Sequence, residues 1–259
     1  IGDFLHMDKT KQKIAFSFLI AIFLAAFEGV VVSTAAPVIV KSLHNFKMIS
    51  WIFSIFLLTS AISTPIYGKL ADLYGRKRIF MIGISIFLFG SLLAGLSQTM
   101  HQLIIFRGIQ GIGAGAIFTI GFTMIGDIFT LEERSIIQGA ISTIWGIAGL
   151  VGPLLGGFLI DYLSWQWIFF INIPFGLLSV YILAKFVHEQ KPATNPKIDY
   201  LGAILLSIAI GSLLYGVMSL DEDFYLGVIL LVITLISSIL FYIQEARTSE
   251  PIVPLFILN

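Results

Sequence analysis

Apolar stretches of about twenty residues recur eight times along this chain. They lie near residues 14–39, 49–70, 79–96, 103–125, 136–160, 167–186, 201–220 and 225–243, with short polar breaks between them. Each is close to the length an α-helix needs to cross about 30 Å of hydrocarbon. In that setting only helices and closed barrels satisfy their own backbone groups. The spacing therefore predicts an all-α membrane protein with eight transmembrane helices. Composition agrees: 12% of residues are charged, against about a quarter in a soluble domain. The basic opening "DKTKQK" followed by an apolar run has the outline of a signal peptide. The run exceeds the roughly 7–15 apolar residues of such a peptide, so it reads as a retained span. Residues 1–6, ahead of Met7, read as a remnant or an upstream extension.

Eight spans put both chain ends on one side, and the basic residues then orient the bundle. One side collects Lys9, Lys11, Lys13, Lys69, Arg76, Lys77, Arg78, Arg134, Lys185, Lys191, Lys197 and Arg247, whereas the other holds only Lys41 and Lys47. This asymmetry predicts a multi-pass cell-membrane protein with a cytoplasmic N-terminus. The acidic run Asp221-Glu222-Asp223 falls outside, which the rule permits.

Several classes of function are excluded. Zero net charge argues against a nucleic-acid partner. The absence of cysteine removes disulfides, thiolate metal sites and cysteine nucleophiles. His6, His44, His101 and His188 are scattered, so neither a metal nor another cofactor is expected. "GKL" at 68–70 lacks the glycine spacing and the Ser/Thr of a phosphate-binding loop. Only Glu28 and Arg107 carry charge at bilayer depth, too few for a membrane-embedded hydrolase, so no enzyme is expected.

Glu28 sits alone in "LAAFEGVVVSTAAPVI". A charge at the centre of a membrane helix costs about 2.5–3.5 kcal/mol on insertion scales, and such residues are functional by default. The bland alternative is a buried acid bonded to Ser33, Thr34 or a neighbouring helix. Arg107, in "LIIFRGIQGIGAGAIF", either serves function or snorkels to the nearby outer interface. Counting from the span ends offsets the two residues in depth by roughly 6–9 Å, which disfavours a direct pair.

Other stretches carry weaker signals. "GKLADLYGRKR" combines Gly68 and Gly75 with Asp72 and the trio Arg76, Lys77 and Arg78. It reads either as a charge-assisted network or as a basic loop that only sets topology. Gly111 and Gly115 form a GxxxG pair suited to close helix approach. In span five, Gly149, Gly152, Gly156 and Gly157 line a small-residue face, and Pro153 removes a backbone donor in mid-membrane. Trp165 and Trp167 suit an interfacial aromatic belt.

Together these motifs resemble the major facilitator superfamily. "GKLADLYGRKR" looks like its loop 2–3 motif, "RGIQGIGAG" its fourth-helix motif, and "GLVGPLLGGFL" the fifth-helix motif of antiporters. The segment ending "VVVSTAAP" is similar to the first-helix motif of fourteen-helix drug–proton antiporters, with Glu28 where Asp is usual. "WQWIFFINIPFG" resembles a further segment of that group, with Gln166 where Arg is common.

The resemblance implies a domain plan. A cytoplasmic segment (1–13) precedes a six-helix bundle (14–190), and a cytoplasmic linker (191–200) leads to an extra hairpin (201–246). Residues 247–259 then lead towards a C-terminal six-helix bundle that is missing here. It further implies a multidrug efflux transporter, a drug–proton antiporter driven by the proton gradient. Its partners would be the lipid bilayer, protons and small amphipathic, often cationic drugs. Asp72 and Arg76 would join Asp127 in a conformational latch, Arg107 would take part in proton coupling, and the Gly149–Gly157 face would be the flexing antiporter helix.

On this reading Glu28 is the protonatable group and alternates between proton and cationic substrate. Burial raises a carboxyl pKa, which lets such a group load and release protons. Phe27 and Trp145 are expected to neighbour the substrate, as aromatic residues do in apolar drug pockets. The competing readings are a carrier of another solute (a sugar, lipid or metabolite) and a non-transporting sensor or structural protein on the same scaffold.

Overall fold

A computed structural model of the chain describes residues 7–188, 199–220, 223–248 and 252. Its helices are α1 (Lys9–Leu43), α2 (Ile49–Tyr74), α3 (Arg76–Gly95), α4 (Met100–Ile128) and α5 (Leu131–Tyr162). The short α6 (Trp167–Phe170) leads into α7 (Asn172–Phe186), and α8 (Tyr200–Ser219) and α9 (Phe224–Glu245) complete the chain. A 3₁₀ turn over Phe46–Met48 opens the second span. Eight helical units are long and apolar enough to cross a membrane, and no strand occurs among the described residues. The expected all-α membrane architecture is present. Residues 1–6, 189–198 with most of the expected linker, Asp221, Glu222 and the tail positions 249–251 and 253–259 lie outside the described residues.

The helices outrun the apolar stretches that predicted them, because polar caps rather than hydropathy end a helix. Asp8 caps α1 by accepting from the Thr10 and Lys11 amides, and Thr130 and Glu133 form a reciprocal capping box at α5. Each cap satisfies amides that the first turn leaves unbonded.

α4 is the hub of the bundle, wedged between α2 and α3. Its glycines make that possible. A Cβ added at Gly111 or Gly115 would collide with Thr59 or Ser63 of α2, and one at Gly113 with Phe87 of α3. In lipid, where no hydrophobic force drives helices together, such close backbone approach supplies the attraction. α1 packs against α5 and α7. Gly152 and Gly156 of α5 meet Val30, Val31 and Thr34 there. Gly149 and Gly157 have nothing within contact distance of a Cβ, so only half of the expected glycine face is packed. Gly157 lies off the packed face by helical phase, whereas Gly149 shares that face but has no neighbour at its level.

Ser17 of α1 and Ser179 of α7 each donate to the other's backbone carbonyl, at 3.0 and 2.9 Å, in a buried site. α8 and α9 pack on each other, with Ser212 and Thr234 hydroxyls 2.8 Å apart. This hairpin lies along α2, where Tyr215 meets Trp51 with ring centroids 5.3 Å apart.

Charge asymmetry is realised in space. Lys11 pairs with Glu133 at 2.7 Å, Lys77 donates to the Ala184 carbonyl at 2.9 Å, and Lys13 lies over the Phe186 ring. These contacts gather the basic ends of α1, α3, α5 and α7 at one end of the bundle.

Candidate functional site

Two apolar cores fill the bundle, one towards the basic end and one towards the opposite end, and they part on α1 between Ala25 and Ala26. Glu28 stands two residues beyond that seam. The same seam crosses the other helices where their polar residues lie. Arg107 and Gln110 separate Leu103 from Ala114 on α4, Ser91 separates Leu88 from Ala94 on α3, and Asn172 opens α7 just after Phe169 of α6. All five polar side chains are buried, with Glu28 0% and Arg107 1% exposed.

They form one network. Arg107 Nη1 donates to Glu28 Oε1 at 2.7 Å and to Gln110 Oε1 at 2.9 Å, while Arg107 Nε donates to the Ile52 carbonyl at 3.2 Å. The guanidinium also lies 4.3 Å from the Phe56 ring centroid. Asn172 Nδ2 donates to Glu28 Oε2 at 2.5 Å and to Ser91 Oγ at 2.9 Å, and Ser91 Oγ donates to the Phe169 carbonyl at 2.8 Å. Both carboxylate oxygens of Glu28 are thus engaged. Two amide atoms in the cluster, Gln110 Nε2 and Asn172 Oδ1, are buried without a partner among the described residues.

This geometry corrects two expectations and narrows a third. Glu28 and Arg107 do pair directly. Counting depth from span ends assumes level, upright helices, yet the 35 residues of α1 extend about 52 Å and cannot stand within 30 Å of hydrocarbon. Arg107 does not snorkel, since its fork is consumed inside the bundle. Of the partners named for a buried acid, neighbouring helices do bond Glu28, through Arg107 and Asn172, while the Ser33 hydroxyl bonds the Val30 carbonyl instead. Asn172, Gln110 and Ser91 were not identified from sequence, although Asn172 stood within "FINIPFG" and Gln110 within "RGIQG". An amide flanked on both sides by apolar residues was the available signal.

The predicted substrate residues are not brought together. Phe27 is buried and stacks on Phe23, while Trp145 is half-exposed and stacks on Phe118. Trp165, the first of the two tryptophans read as an interfacial belt, packs inside the bundle. It is buried, donates to Ser42 at 3.3 Å and meets Phe169 edge-on, whereas Trp167 is exposed.

At the basic end, Arg76 bridges Asp72 at 3.1 Å and Asp127. Asp127 stands in the last turn of α4, where the helix dipole disfavours an acid, and Arg76 offsets that. Gly75, the single residue between α2 and α3, holds φ at 98°, which side chains rarely tolerate. A Cβ added at Gly68 would stand 3.7 Å from Thr119, in ordinary contact. On α5, Pro153 lies inside a continuous helix and has no N–H for the Gly149 carbonyl, one turn back, to accept.

Residues 18–250 match the Major Facilitator Superfamily. Multidrug resistance protein 3 of Bacillus subtilis is 38% identical over 257 residues, covering 95% of this chain and 50% of that protein. The multidrug transporter protein MdtP of the same organism is 37% identical, covering 92% and 45%. Efflux pump dotC of Dothistroma septosporum is 34% identical, covering 91% and 42%. The chain therefore spans about half the length of the curated relatives it matches. Among solved structures, the human organic anion transporter MFSD10 (TETRAN) aligns with a TM-score of 0.60 at 15% identity, over 93% of this chain and 72% of that one. The POT family transporter PepTSo also gives 0.60, at 14% identity over 92% and 55%. With eight membrane-length helices, glycine-mediated packing around α4 and a family match across nearly its whole length, this chain belongs to the major facilitator superfamily.

Proposed function

We propose that this chain is the first part of a proton-coupled multidrug exporter that moves amphipathic, often cationic compounds out of the cell. The observation that carries the reading is a buried carboxylate held by one arginine and one amide at the seam of the bundle. Similarity to proteins named multidrug transporters and efflux pumps supports the substrate class. The N-terminus faces the cytoplasm of the cell membrane, in keeping with the basic end formed by α1, α3, α5 and α7. A second six-helix bundle completes the transporter. α5 offers it an apolar stripe, with Leu150, Leu154 and Phe158 exposed at four-residue spacing.

In the mechanism, Glu28 carries the proton. When it is ionised, Arg107 Nη1 and Asn172 Nδ2 donate to it. When it takes a proton its hydroxyl needs an acceptor, and a half-turn of the Asn172 amide presents Oδ1, which is otherwise without a partner. Arg107 then loses its counter-charge in a buried site, an expensive state that biases the bundle towards another conformation. A cationic substrate favours the ionised carboxylate, so proton and substrate exclude each other. Trp145 is the aromatic residue available to the substrate; Phe27 and Glu28 become available only when the bundle rearranges. The Arg76, Asp72 and Asp127 contacts latch the outward-open state, with Gly68 and Gly75 allowing the tight turn. α5 bends at Gly149 and Pro153. The proton gradient is the only energy source and no cofactor is required.

The test uses the full-length protein in proteoliposomes with ethidium and an imposed pH gradient. Wild type is expected to drive dye against its gradient. Glu28→Gln is expected to lose gradient-driven movement while retaining downhill flux. Proton-driven efflux with unchanged pH dependence in Glu28→Gln overturns the role of Glu28. A wild type that moves no dye overturns the exporter reading.

A further inference from the structure

α1, α5 and α7 enclose a groove of about 360 Å³ that opens on the outside of the bundle. Its walls are carbon only, with Phe16, Ile20 and Phe23 on α1, Ile144 on α5, and Phe175 and Leu178 on α7. Phe16 and Phe175 are about half-exposed. From Phe16 to Phe23 the groove runs about two helical turns, or 10 Å, along the membrane normal.

The same helix faces end in lysines. Lys13 lies three residues before Phe16 and seven before Ile20, and Lys185 lies seven after Leu178, so each projects from the groove-lining face. Both ammonium groups converge on one ring: Lys13 Nζ is 4.6 Å and Lys185 Nζ 5.6 Å from the Phe186 centroid. Among the described residues neither is paired with a carboxylate. The nearby acids are engaged elsewhere, with Glu133 held by Lys11 and Asp8 capping α1. The two ammonium groups make the basic end of the groove positive, and a positive mouth on an apolar groove fits a ligand with an anionic head and an apolar tail.

From this juxtaposition we infer that the groove is a binding site for an anionic phospholipid of the leaflet at the basic end. One acyl chain lies along Phe16–Phe23 and Phe175–Leu178, and the phosphate is bridged by Lys13 and Lys185. Basic pockets between membrane helices bind anionic head groups through this combination of charge and apolar surface. The inference depends only on the fold and the membrane, and stands apart from the direction and cargo of transport.

The experiment uses full-length protein reconstituted with a photoactivatable phosphatidylglycerol, followed by peptide mapping. Native mass spectrometry then counts retained phosphatidylglycerol against phosphatidylcholine. Crosslinks are expected on the peptides carrying Phe16–Phe23 and Phe175–Leu178, with phosphatidylglycerol retained in preference. Retention should weaken roughly fivefold for each charge removed in Lys13→Gln and Lys185→Gln, and persist in Lys13→Arg and Lys185→Arg. Leu178→Trp, at an exposed rim position, should cut crosslinking by filling the groove with both charges intact. Inorganic phosphate alone should neither compete with the lipid nor protect the protein. Crosslinks confined to other peptides, as when a second bundle or a second copy covers the groove, overturn the inference. So does equal retention of the two lipids, or displacement by inorganic phosphate. If the glutamine variants fail to fold, crosslinking in wild type and Leu178→Trp still decides.

Discussion

Two arginine clusters in this chain have similar partners and opposite surroundings. Arg107 meets Glu28 and Gln110 at 1% exposure, while Arg76 meets Asp72 and Asp127 with 29% of its side chain exposed. Water decides what each is worth. Exposed pairs contribute about 0–1 kcal/mol because solvent and salt compete for the same charges. A buried pair gains little on balance, but removing one member strands the other and costs about 3–5 kcal/mol. The basic-end contacts can therefore open and close at little cost as helices move, which suits a latch. The seam cluster is held in place unless its charge changes, which suits a site that responds to protons.

Five variants, each made in the full-length protein, test this contrast through thermal unfolding in detergent. Arg107→Ala is expected to lose the most stability, about 3–5 kcal/mol. Glu28→Gln combined with Arg107→Gln should recover much of that loss, because neither charge is left stranded. A single Arg107→Ala variant as stable as wild type breaks the comparison. Asn172→Ala comes next, at about 1–3 kcal/mol, since it removes one of the two hydrogen-bond donors to Glu28 and leaves Ser91 short of a donor. Ser91→Ala should cost about 1 kcal/mol through the lost bond to the Phe169 carbonyl. Arg76→Ala should change stability by less than about 1 kcal/mol. Half-molar salt should erase that small effect but leave the Arg107→Ala loss intact, because screening reaches exposed charges far more than buried ones. Equal salt sensitivity at both sites would show that water reaches the seam.

Much of this architecture is legible in the residues. Hydropathy places all eight spans, because lipid forbids unsatisfied backbone. Gly111, Gly113 and Gly115 announce the close approaches of α4, since small residues have few other uses at that density. What the residues hide is depth and azimuth. Glu28 and Arg107 lie on helices of unequal length, 35 and 29 residues, so counting from span ends disfavours a pair that the structure makes. Asn172 is hidden because one amide in an apolar stretch does not by itself say which neighbour it faces. Only packing turns it towards Glu28 and Ser91. The same holds for Gly149 and Gly157, whose small size is plain but whose open surroundings are not. The seam is the level at which these hidden facts become one. Polar residues scattered over α1, α3, α4 and α7 share a layer only once the helices stand side by side.

The reciprocal bonds between Ser17 and Ser179 carry a mechanical consequence. Each serine holds the other helix's backbone, so sliding α1 against α7 by even one residue breaks both bonds within an apolar core. Under load these two helices act as a single beam. Deformation in this half of the bundle falls instead on α5, where Pro153 leaves the Gly149 carbonyl without its helical donor.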